Sequence, residues 1–322
     1  MTVRVRPFAD RDYAAYARIR STGEQDGTTP DDARARDATW DSVRYEKVRL
    51  VAVDEEDAPL GYGEIYHEPS RFDPQRYFMR LAVDLRMRRR SIGAVLWTAL
   101  RGELLERDAL GVYAWARDST AAASFLAHRG FVEAVRYYNE VRAVAAAPLP
   151  TPATDERLAS VGARIATLAE LAKTDSRALE KAYELYYESR LDQPTLGRLT
   201  RTSFADWRAY HVDHAQAIPD AYFIAIAGEA FVGQSSARRS AAEDVLDIGV
   251  TGVLPPRRRR GIGRALKLRL HRYARTQGFR EIHTTTLREN REMVALNDSL
   301  GYVIVGSYAG YELTLSPSSR ST

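Results

Sequence analysis

The sequence predicts an α/β protein built from two tandem copies of one domain, each a mixed sheet flanked by helices. Three observations predict it. Leu81-Ala82-Val83-Asp84-Leu85-Arg86-Met87-Arg88-Arg89-Arg90-Ser91-Ile92-Gly93 aligns with Thr251-Gly252-Val253-Leu254-Pro255-Pro256-Arg257-Arg258-Arg259-Arg260-Gly261-Ile262-Gly263 once Val83 is placed on Val253, and Gly130-Phe131 aligns with Gly301-Tyr302. A repeat of that length is a whole domain, far longer than a solenoid unit. Between the copies, Pro148, Pro150 and Pro152 interrupt any regular element, because each lacks an amide donor and fixes its own φ. Strand and helix patterns also follow one another in the same order in both halves. The expected organisation is a first domain over residues 1–145, a linker over 146–160, a second domain over 161–315 and a frayed Ser/Pro-rich tail over 316–322.

The elements run in parallel through the halves. Short strands are expected at 3–6 and 163–167, and helices at 10–20 and 174–190. The second helix carries Leu179, Ala182, Tyr183, Tyr186 and Tyr187 at helical spacing. A strand pair follows at 49–53 and 60–67, with Glu55-Glu56-Asp57 in its turn; its counterpart is 221–226 and 230–237, turned at Gly228. A longer strand, 76–84 or 245–254, leads into the arginine loop, and a helix leaves it over 92–105 or 262–276. Ile262, Leu266, Leu270 and Tyr273 form the apolar stripe of that second helix, and Gly278 stops it. Then come a strand at 112–116 or 281–286, a helix ending at Gly130 or Gly301, and a final strand.

Composition narrows the class. The chain has 322 residues, 45% of them hydrophobic, which suits two soluble domains. It has no cysteine, so disulfides, thiolate zinc sites and cysteine nucleophiles are excluded. No run approaches ~18 apolar residues, and Met1 to Pro7 lacks an apolar leader core, so no membrane association and a cytoplasmic location are expected. The net charge is +4, from 47 basic and 43 acidic residues, which is modest for a nucleic-acid binder. Its distribution says more: Arg86 to Arg90 and Arg257 to Arg260 form two local anion-attracting loops. Both sit ahead of a helix without interleaved aromatics, so nucleic acid is not an expected partner.

The feature richest in chemistry is strand, then Arg258-x-x-Gly261-x-Gly263, then helix. A helix N-terminus offers unsatisfied amides and the positive end of its dipole. Glycines let a phosphate approach the backbone, and arginines add charge-assisted contacts. Two readings stand on the loop alone: a pyrophosphate site, and a basic turn that merely starts a helix. Neither the Walker nor the Rossmann spacing is present. The second motif is Asn290-x-x-Met293-x-x-x-Asn297-x-x-Leu300-Gly301-Tyr302. Asn290 is placed as either a helix N-cap or a ligand contact. Asn297 shares its helical face and can meet a ligand lying between the neighbouring strands.

With both motifs, the sequence resembles the GNAT superfamily of acyl-CoA N-acyltransferases, over both halves, as a tandem GNAT protein. The resemblance implies acyl-CoA, usually acetyl-CoA, as co-substrate, with no metal. Thr251, Gly252 and Val253 would then face the acyl-pantetheine arm. Arg258, Arg259, Arg260, Gly261, Ile262, Gly263 and Arg264 would take the pyrophosphate, and Asn290 and Asn297 would contact the cofactor. The expected partner is a small-molecule amine acceptor, and the expected assembly a monomer or homodimer. In the N-terminal half the first loop glycine is Ser91, Pro255 is matched by Leu85, Asn290 by Ser119 and Asn297 by Leu126. That half is expected to keep the fold and to have lost productive acyl-CoA binding, although Arg88 and Gly93 remain.

Aminolysis of a thioester needs a neutral amine, an oxyanion site and a proton for the leaving thiolate. The tyrosine that many family members use as acid is matched by Asn297. Tyr302, Tyr308 and Tyr311 are the substitutes nearby in sequence, and a thiolate can also leave unassisted. Asp247, on Val245-Leu246-Asp247-Ile248-Gly249-Val250-Thr251, is the base candidate, expected by alternation to share a face with Gly249, Thr251 and Val253. An acceptor-orienting or merely exposed Asp247 fits the same pattern. His211-Val212-Asp213-His214 reads as a surface turn, His283 as a structural polar residue, and Tyr183, Tyr186, Tyr187 and Tyr210 as packing residues that can line an acceptor cleft. The rival to an acyltransferase is a non-catalytic acyl-CoA-binding sensor or scaffold, kept open by Asn297.

Overall fold

Alternating apolar strands and capped helices follow each other as the repeat requires. The computed structural model describes residues 2–24, 28–118, 120–191 and 193–315. In chain order its elements are β1 (Arg4–Pro7), α1 (Tyr13–Glu24), α2 (Pro30–Ala38), β2 (Lys47–Val53), β3 (Pro59–Tyr66), β4 (Arg76–Val83), α3 (Ile92–Glu106), β5 (Gly111–Arg117), α4 (Thr120–Ala127) and β6 (Val132–Ala143). The second half continues with α5 (Pro152–Ser160), β7 (Arg164–Thr167), α6 (Leu168–Thr174), α7 (Ala178–Glu188), α8 (Phe204–His211), β8 (Phe223–Ala227), β9 (Ala230–Arg239) and β10 (Val245–Val253). It ends with α9 (Ile262–Thr276), β11 (Glu281–Leu287), α10 (Arg291–Ser299) and β12 (Val303–Thr314). The predicted tail lies outside the described residues.

The chain divides into two compact units, and they do not follow the expected 1–145 and 161–315 split. One holds residues up to Ala134, Thr195–Thr200 and everything from Ala309; the other holds Val135–Pro194 and Arg201–Tyr308. Each half of the sequence therefore lends part of its last strand to the unit built mainly by the other half. In the first unit β1 to β4 pair antiparallel in sequence order, and β4 pairs parallel with β5. Its sheet is completed by the end of β12: the Leu315 amide donates to Leu110 C=O at 2.9 Å, and Arg76 pairs with Glu312 at 2.7 Å. Ala309, Tyr311 and Leu315 join its core beside Leu100, Leu104 and Val112. In the second unit β7 to β10 pair antiparallel and β10 pairs parallel with β11. There β6 lies antiparallel to β11, in unbroken register from Glu281↔Ala143 to Leu287↔Tyr137. Leu266, Leu270 and Ala274 of α9 pack on Leu246 and Ile282 to form its core.

The linker is a further correction. Pro148 and Pro150 lie outside regular elements, but Pro152 opens α5 at a position where a missing amide costs nothing. The stretch before α5 is held rather than loose: Arg275 donates to the carbonyls of Val144, Ala145 and Ala147, and Arg272 to that of Pro150. The helix expected over 174–190 is α7, and a separate short helix, α6, precedes it, with Thr167 and Glu170 forming a capping box at its start. Four helices, α2, α5, α6 and α8, have no expected counterpart. Both α2 and α8 are short, started by Thr29 with Asp32 and by Ser203 with Asp206.

The first unit carries a buried ionic ladder. Glu64 on β3, 1% exposed, stands between Arg49 on β2 and Arg80 on β4, at 2.6 Å from each. Burial alone would raise the Glu64 carboxyl, but the two guanidinium groups outweigh it and hold it below its ordinary value. Burial likewise opposes ionisation of Asp37, yet hydrogen bonds from Arg49, Lys47 and Tyr13 bring it down to about 2. Carboxyls depressed in the folded state stabilise it above their unfolded pKa, and that contribution is lost as pH falls through the folded value. The first unit is therefore expected to lose stability from about pH 4.5 downwards to pH 2. Urea melts at stepped pH, read by tryptophan fluorescence, would check this, since Trp40, Trp97 and Trp115 lie in that unit and Trp207 alone in the other.

Candidate functional site

The second unit opens where two parallel strands part. β10 and β11 pair only at Val245↔Glu281, Leu246↔Ile282 and Asp247↔His283; beyond that their partners are β9 on one side and β6 on the other. A ligand can enter such a gap and meet strand backbone that has no neighbouring strand. β10 also carries a bulge against β9, because Ile248↔Ala237 is followed by Thr251↔Ser235, so Gly249 and Val250 together oppose Ser236. The Val250 amide donates to Ser236 Oγ at 3.2 Å. A bulge bends a strand and re-aims its groups, and this one lies along the gap.

The arginine loop sits at the end of β10. A short 3-10 turn at Pro255–Arg257 leads to Arg258, whose Nε donates to Val253 C=O at 2.9 Å and pins the loop to its strand. Arg259 has φ +62° and Gly261 φ +85°, so the chain reverses hand twice before α9 begins. Ala265 N–H to Gly261 C=O is the bond that closes the first turn of α9. The amides ahead of it are those a helix start leaves without intrahelical partners. Arg259 is exposed and pairs with Glu292, and Arg264 donates to Ser299 Oγ at 2.9 Å. Arg157 of α5 crosses Gly261 so closely that a Cβ there would stand 2.6 Å from its Nε. Ile262 is buried, and Val253 faces it across Gly233, so both anchor the loop to the core. Gly252 lies against α7, where a Cβ would come 2.7 Å from Ser189 Oγ.

The two asparagines have different surroundings. Asn290 caps α10, its Oδ1 accepting from the Met293 amide at 3.2 Å. Asn297 is fully buried, and its Nδ2 donates to Glu140 Oε2 at 2.8 Å and to Thr286 Oγ1 at 2.9 Å. Thr286 in turn donates to Glu140 Oε2. Lys267 and His271 of α9 are buried nearby. Burial brings Lys267 down to about 8 although the Glu140 charge works the other way, and burial brings His271 down to about 4. Glu140, Thr286, Lys267 and His271 were not found from the sequence. Lys267 is a charged residue on a buried helix face, which a strict apolar-stripe count could have flagged. Glu140 belongs to the other half's final strand and had no local signal.

The acid–base candidates redistribute. Tyr302 is 5% exposed and lies 2.9 Å from His271 Nε2, whose Nδ1 faces Pro148 C=O at 2.9 Å. Since that carbonyl can only accept, Nδ1 carries the ring proton and Tyr302 donates to Nε2. Burial raises its phenol further, so Tyr302 is tied into the core and is no acid for a cleft. Tyr311 is a core residue of the first unit, brought there by the strand exchange. Tyr308 stays half-buried in the second unit, stacked on Tyr137 with ring centroids 5.3 Å apart.

Asp247 is half-buried and is the last β10 residue paired with β11, so it marks the apex of the gap. Its expected company needs correction. The bulge inserts one residue, so Thr251 and Val253 lie on the face of Ile248, toward α9, and Asp247 lies on the opposite face. There it opposes Arg238 and shares the surface with Ser236, Gln234 and Gly252, beneath α7 and α8. Gln234 donates to Leu185 C=O and Ser189 Oγ of the α7 region, and Arg238 to Tyr210 Oη of α8 at 2.7 Å. Tyr186 packs on His211 at 4.6 Å and accepts from Arg190. Burial, with Arg190 and Arg238 adding to it, holds His211 down to about 4. Tyr183 and Tyr187 tie α7 to Thr202. His214 and Asp213 serve the turn after α8, accepting from the Gln216 amide and from Arg208.

The first unit repeats the backbone without the site's chemistry. Arg89 (φ +65°) and Ser91 (φ +61°) reproduce the hand reversals of Arg259 and Gly261. β3 and β4 pair without a bulge. Phe125 crowds the second loop glycine, lying 3.2 Å from where a Cβ on Gly93 would be, whereas the nearest atoms at Gly263 are 3.8 Å away. Leu126, at the Asn297 position, is core. Ser119, aligned with Asn290, lies outside the described residues.

Comparison with known proteins bears on both units. The acetyltransferase (GNAT) family matches residues 13–131 and again 179–302. No match was found among curated proteins. Among solved structures, the chain is similar to a tandem GNAT protein from the clavulanic acid biosynthesis pathway (16% identity, 98% of this chain and 100% of that one, TM-score 0.72). It is also similar to a GCN5-related N-acetyltransferase from Sphaerobacter thermophilus (18% identity, 97% and 95%, TM-score 0.69). A third likeness is to a fungal GCN5-related glucosamine N-acetyltransferase region within a multi-domain β-N-acetylglucosaminidase (12% identity, 97% and 38%, TM-score 0.70). At these identities the structural likeness speaks for the fold. Both units thus share one domain type, and only the second joins a glycine loop to a bulged, parted strand pair.

Proposed function

Because this chain belongs to the acetyltransferase (GNAT) family, with that family's domain present twice, we propose that it moves an acetyl or other acyl group from acyl-CoA to the amine of a small-molecule acceptor by direct attack on the thioester. The observation that carries this is the parted β10–β11 pair of the second unit, with a glycine-started helix at its mouth and a carboxylate at its apex. One working acyl-CoA site per chain follows, in that unit.

The loop from Arg258 to Arg264 takes the pyrophosphate through free helix-start amides and nearby guanidinium groups. Thr251 to Val253 and the adjoining bulge run beside the extended acyl-pantetheine, where a strand amide turned out of the ladder can donate to the thioester oxygen. Asp247 receives, through water, a proton from the acceptor ammonium. The neutral nitrogen then attacks the carbonyl carbon, a C–N bond forms and the C–S electrons return to sulfur. The attacking nitrogen sheds its second proton to solvent, and CoA leaves as thiolate, to be protonated from solvent or by Tyr308.

Free-thiol release from acetyl-CoA across an amine library tests the proposal. Turnover is expected with at least one amine, and Asp247→Asn is expected to lower kcat by about 10²–10⁴ with little change in acetyl-CoA affinity. Saturable acetyl-CoA binding without turnover on any amine would favour a sensor or scaffold instead, the outcome that the buried Asn297 at the usual donor position keeps in play.

A further inference from the structure

The buried cluster on β11 differs between the two units in a way that packing alone does not require. The helices α3 and α9, the strands β5 and β11 and the strands β12 and β6 superpose in sequence, and Leu315 N–H to Leu110 C=O repeats Val144 N–H to Arg280 C=O. By that register the counterparts of Lys267, Thr286, Asn297 and Glu140 are Trp97, Ala116, Leu126 and Tyr311. The first unit fills this place with apolar core. The second fills it with four polar groups that are 0–3% exposed. Burying such groups costs free energy that an apolar set avoids, and the cost is borne in the unit that keeps Gly261.

The hydrogen bonds fix which way Asn297 points. Thr286 gives its hydroxyl proton to Glu140, so both neighbours of the Asn297 amide can only accept from it. The atom facing them must be the NH₂ group, and both its hydrogens are used. The Oδ1 is left buried with no partner. Thr286 lies on the part of β11 that has separated from β10, so this cluster borders the gap. An unsatisfied buried acceptor there calls for a ligand that donates.

We infer that Glu140 is a positioning residue: it locks the Asn297 amide so that Oδ1 accepts an N–H from the pantetheine arm of the acyl-CoA. The inference rests on the acyl-CoA reading of the second unit. It makes that site dependent on a residue carried by the strand exchanged from the other half of the chain. Glu140 touches no substrate and acts through Asn297.

The test uses the full chain and two probes, acetyl-CoA and adenosine 3′,5′-bisphosphate, which lacks the pantetheine. Binding is measured by calorimetry for the wild type, Glu140→Leu, Glu140→Gln, Asn297→Leu and the double leucine variant. Expected is a roughly tenfold loss of acetyl-CoA affinity in Glu140→Leu and in Asn297→Leu, with bisphosphate affinity unchanged. The double variant should lose no more than Asn297→Leu, since coupled residues are non-additive. Glu140→Gln, which keeps an acceptor oxygen, should stay within about threefold of wild type. The double variant also removes both partners together, a change that leaves no orphaned group in this pair and guards against simple misfolding. Equal losses for both probes would assign Glu140 a purely structural role and overturn the inference, as would full acetyl-CoA affinity in Glu140→Leu. A wild type that binds bisphosphate but gains nothing from the pantetheine would overturn it too. A wild type that binds neither probe would instead sink the acyl-CoA reading beneath it.

Discussion

Gly261→Glu is expected to abolish acetyl-CoA binding while leaving the protein folded. Gly261 has φ +85°, where a side chain costs about 1–2 kcal/mol. Ser91 shows that the same backbone position accepts a side chain in the first unit at φ +61°. The crowding from Arg157 involves the far end of a long exposed side chain, which can swing away. Stability is therefore modestly affected. Binding is lost, because the new carboxylate occupies the approach to the helix-start amides. Two like charges about 4 Å apart repel by about 4 kcal/mol at an effective dielectric near 20, which is about a thousandfold in affinity. A Gly261→Ser variant should show the backbone effect alone, with a loss below about tenfold. Calorimetry with acetyl-CoA and thermal melts on the same samples separate the two contributions. If Gly261→Glu bound acetyl-CoA as tightly as wild type, the loop would be a plain helix start. Ser91→Gly should change neither turnover nor affinity, because Phe125 still crowds Gly93 and the β4 bulge is still missing.

A fragment of residues 161–315 is expected not to fold. It contains the whole stretch that sequence similarity marks as the second domain, yet it lacks β6. Without β6 the full length of β11, from Glu281 to Leu287, is an unpaired edge. Asn297 and Thr286 lose their common acceptor, and the carbonyls of Val144 to Ala147 that hold Arg275 are gone. The same fragment carries a final strand whose end belongs to the core of the first unit, so Tyr311 and Leu315 would be left without their packing. Exposed edges and apolar strands of this kind pair with other chains. The fragment should be insoluble or lack a cooperative thermal transition by circular dichroism. Mixing it with residues 1–160 should restore a transition, since together they carry β6 and the end of β12. A soluble, cooperatively melting 161–315 fragment would show that the exchanged strand is dispensable.

The parts of the fold legible in the sequence are those set by local chemistry. The repeat around Val83 and Val253 placed β4 and β10 before the loops and α3 and α9 after them. Helical spacing found most of α7 and α9, and Gly278 stopped the latter. The missed helices, α2, α5, α6 and α8, are seven to nine residues long, and their shared signal is a capping pair. Pro152 reads as a breaker in the sequence, although at a helix start proline is favoured. At the candidate site, the loop and Asn290 came from spacing. The surroundings of Asp247 and Asn297 did not, because both depend on strands far away in the chain.

Local pattern is enough to show two copies of one α/β domain, a strand–loop–helix in each, and both loop glycines in the second alone. Period, capping and the φ freedom of glycine are properties of neighbouring residues, so no tertiary information is needed to see them. The tertiary structure alone decided which final strand completes which unit, and which face Asp247 takes. One inserted residue at Gly249–Val250 turned Thr251 and Val253 away from Asp247, and such a bulge exists only relative to a partner strand. β6 and β12 are copies with the same alternation, so local pattern cannot choose between their two pairings. The exchange sets Glu140 beside Thr286 and Asn297, a residue 157 positions away, and sets Tyr311 among apolar neighbours. The unexchanged pairing would bury a carboxylate against Ala116, Leu126 and Trp97, without the two donors that Asn297 and Thr286 supply.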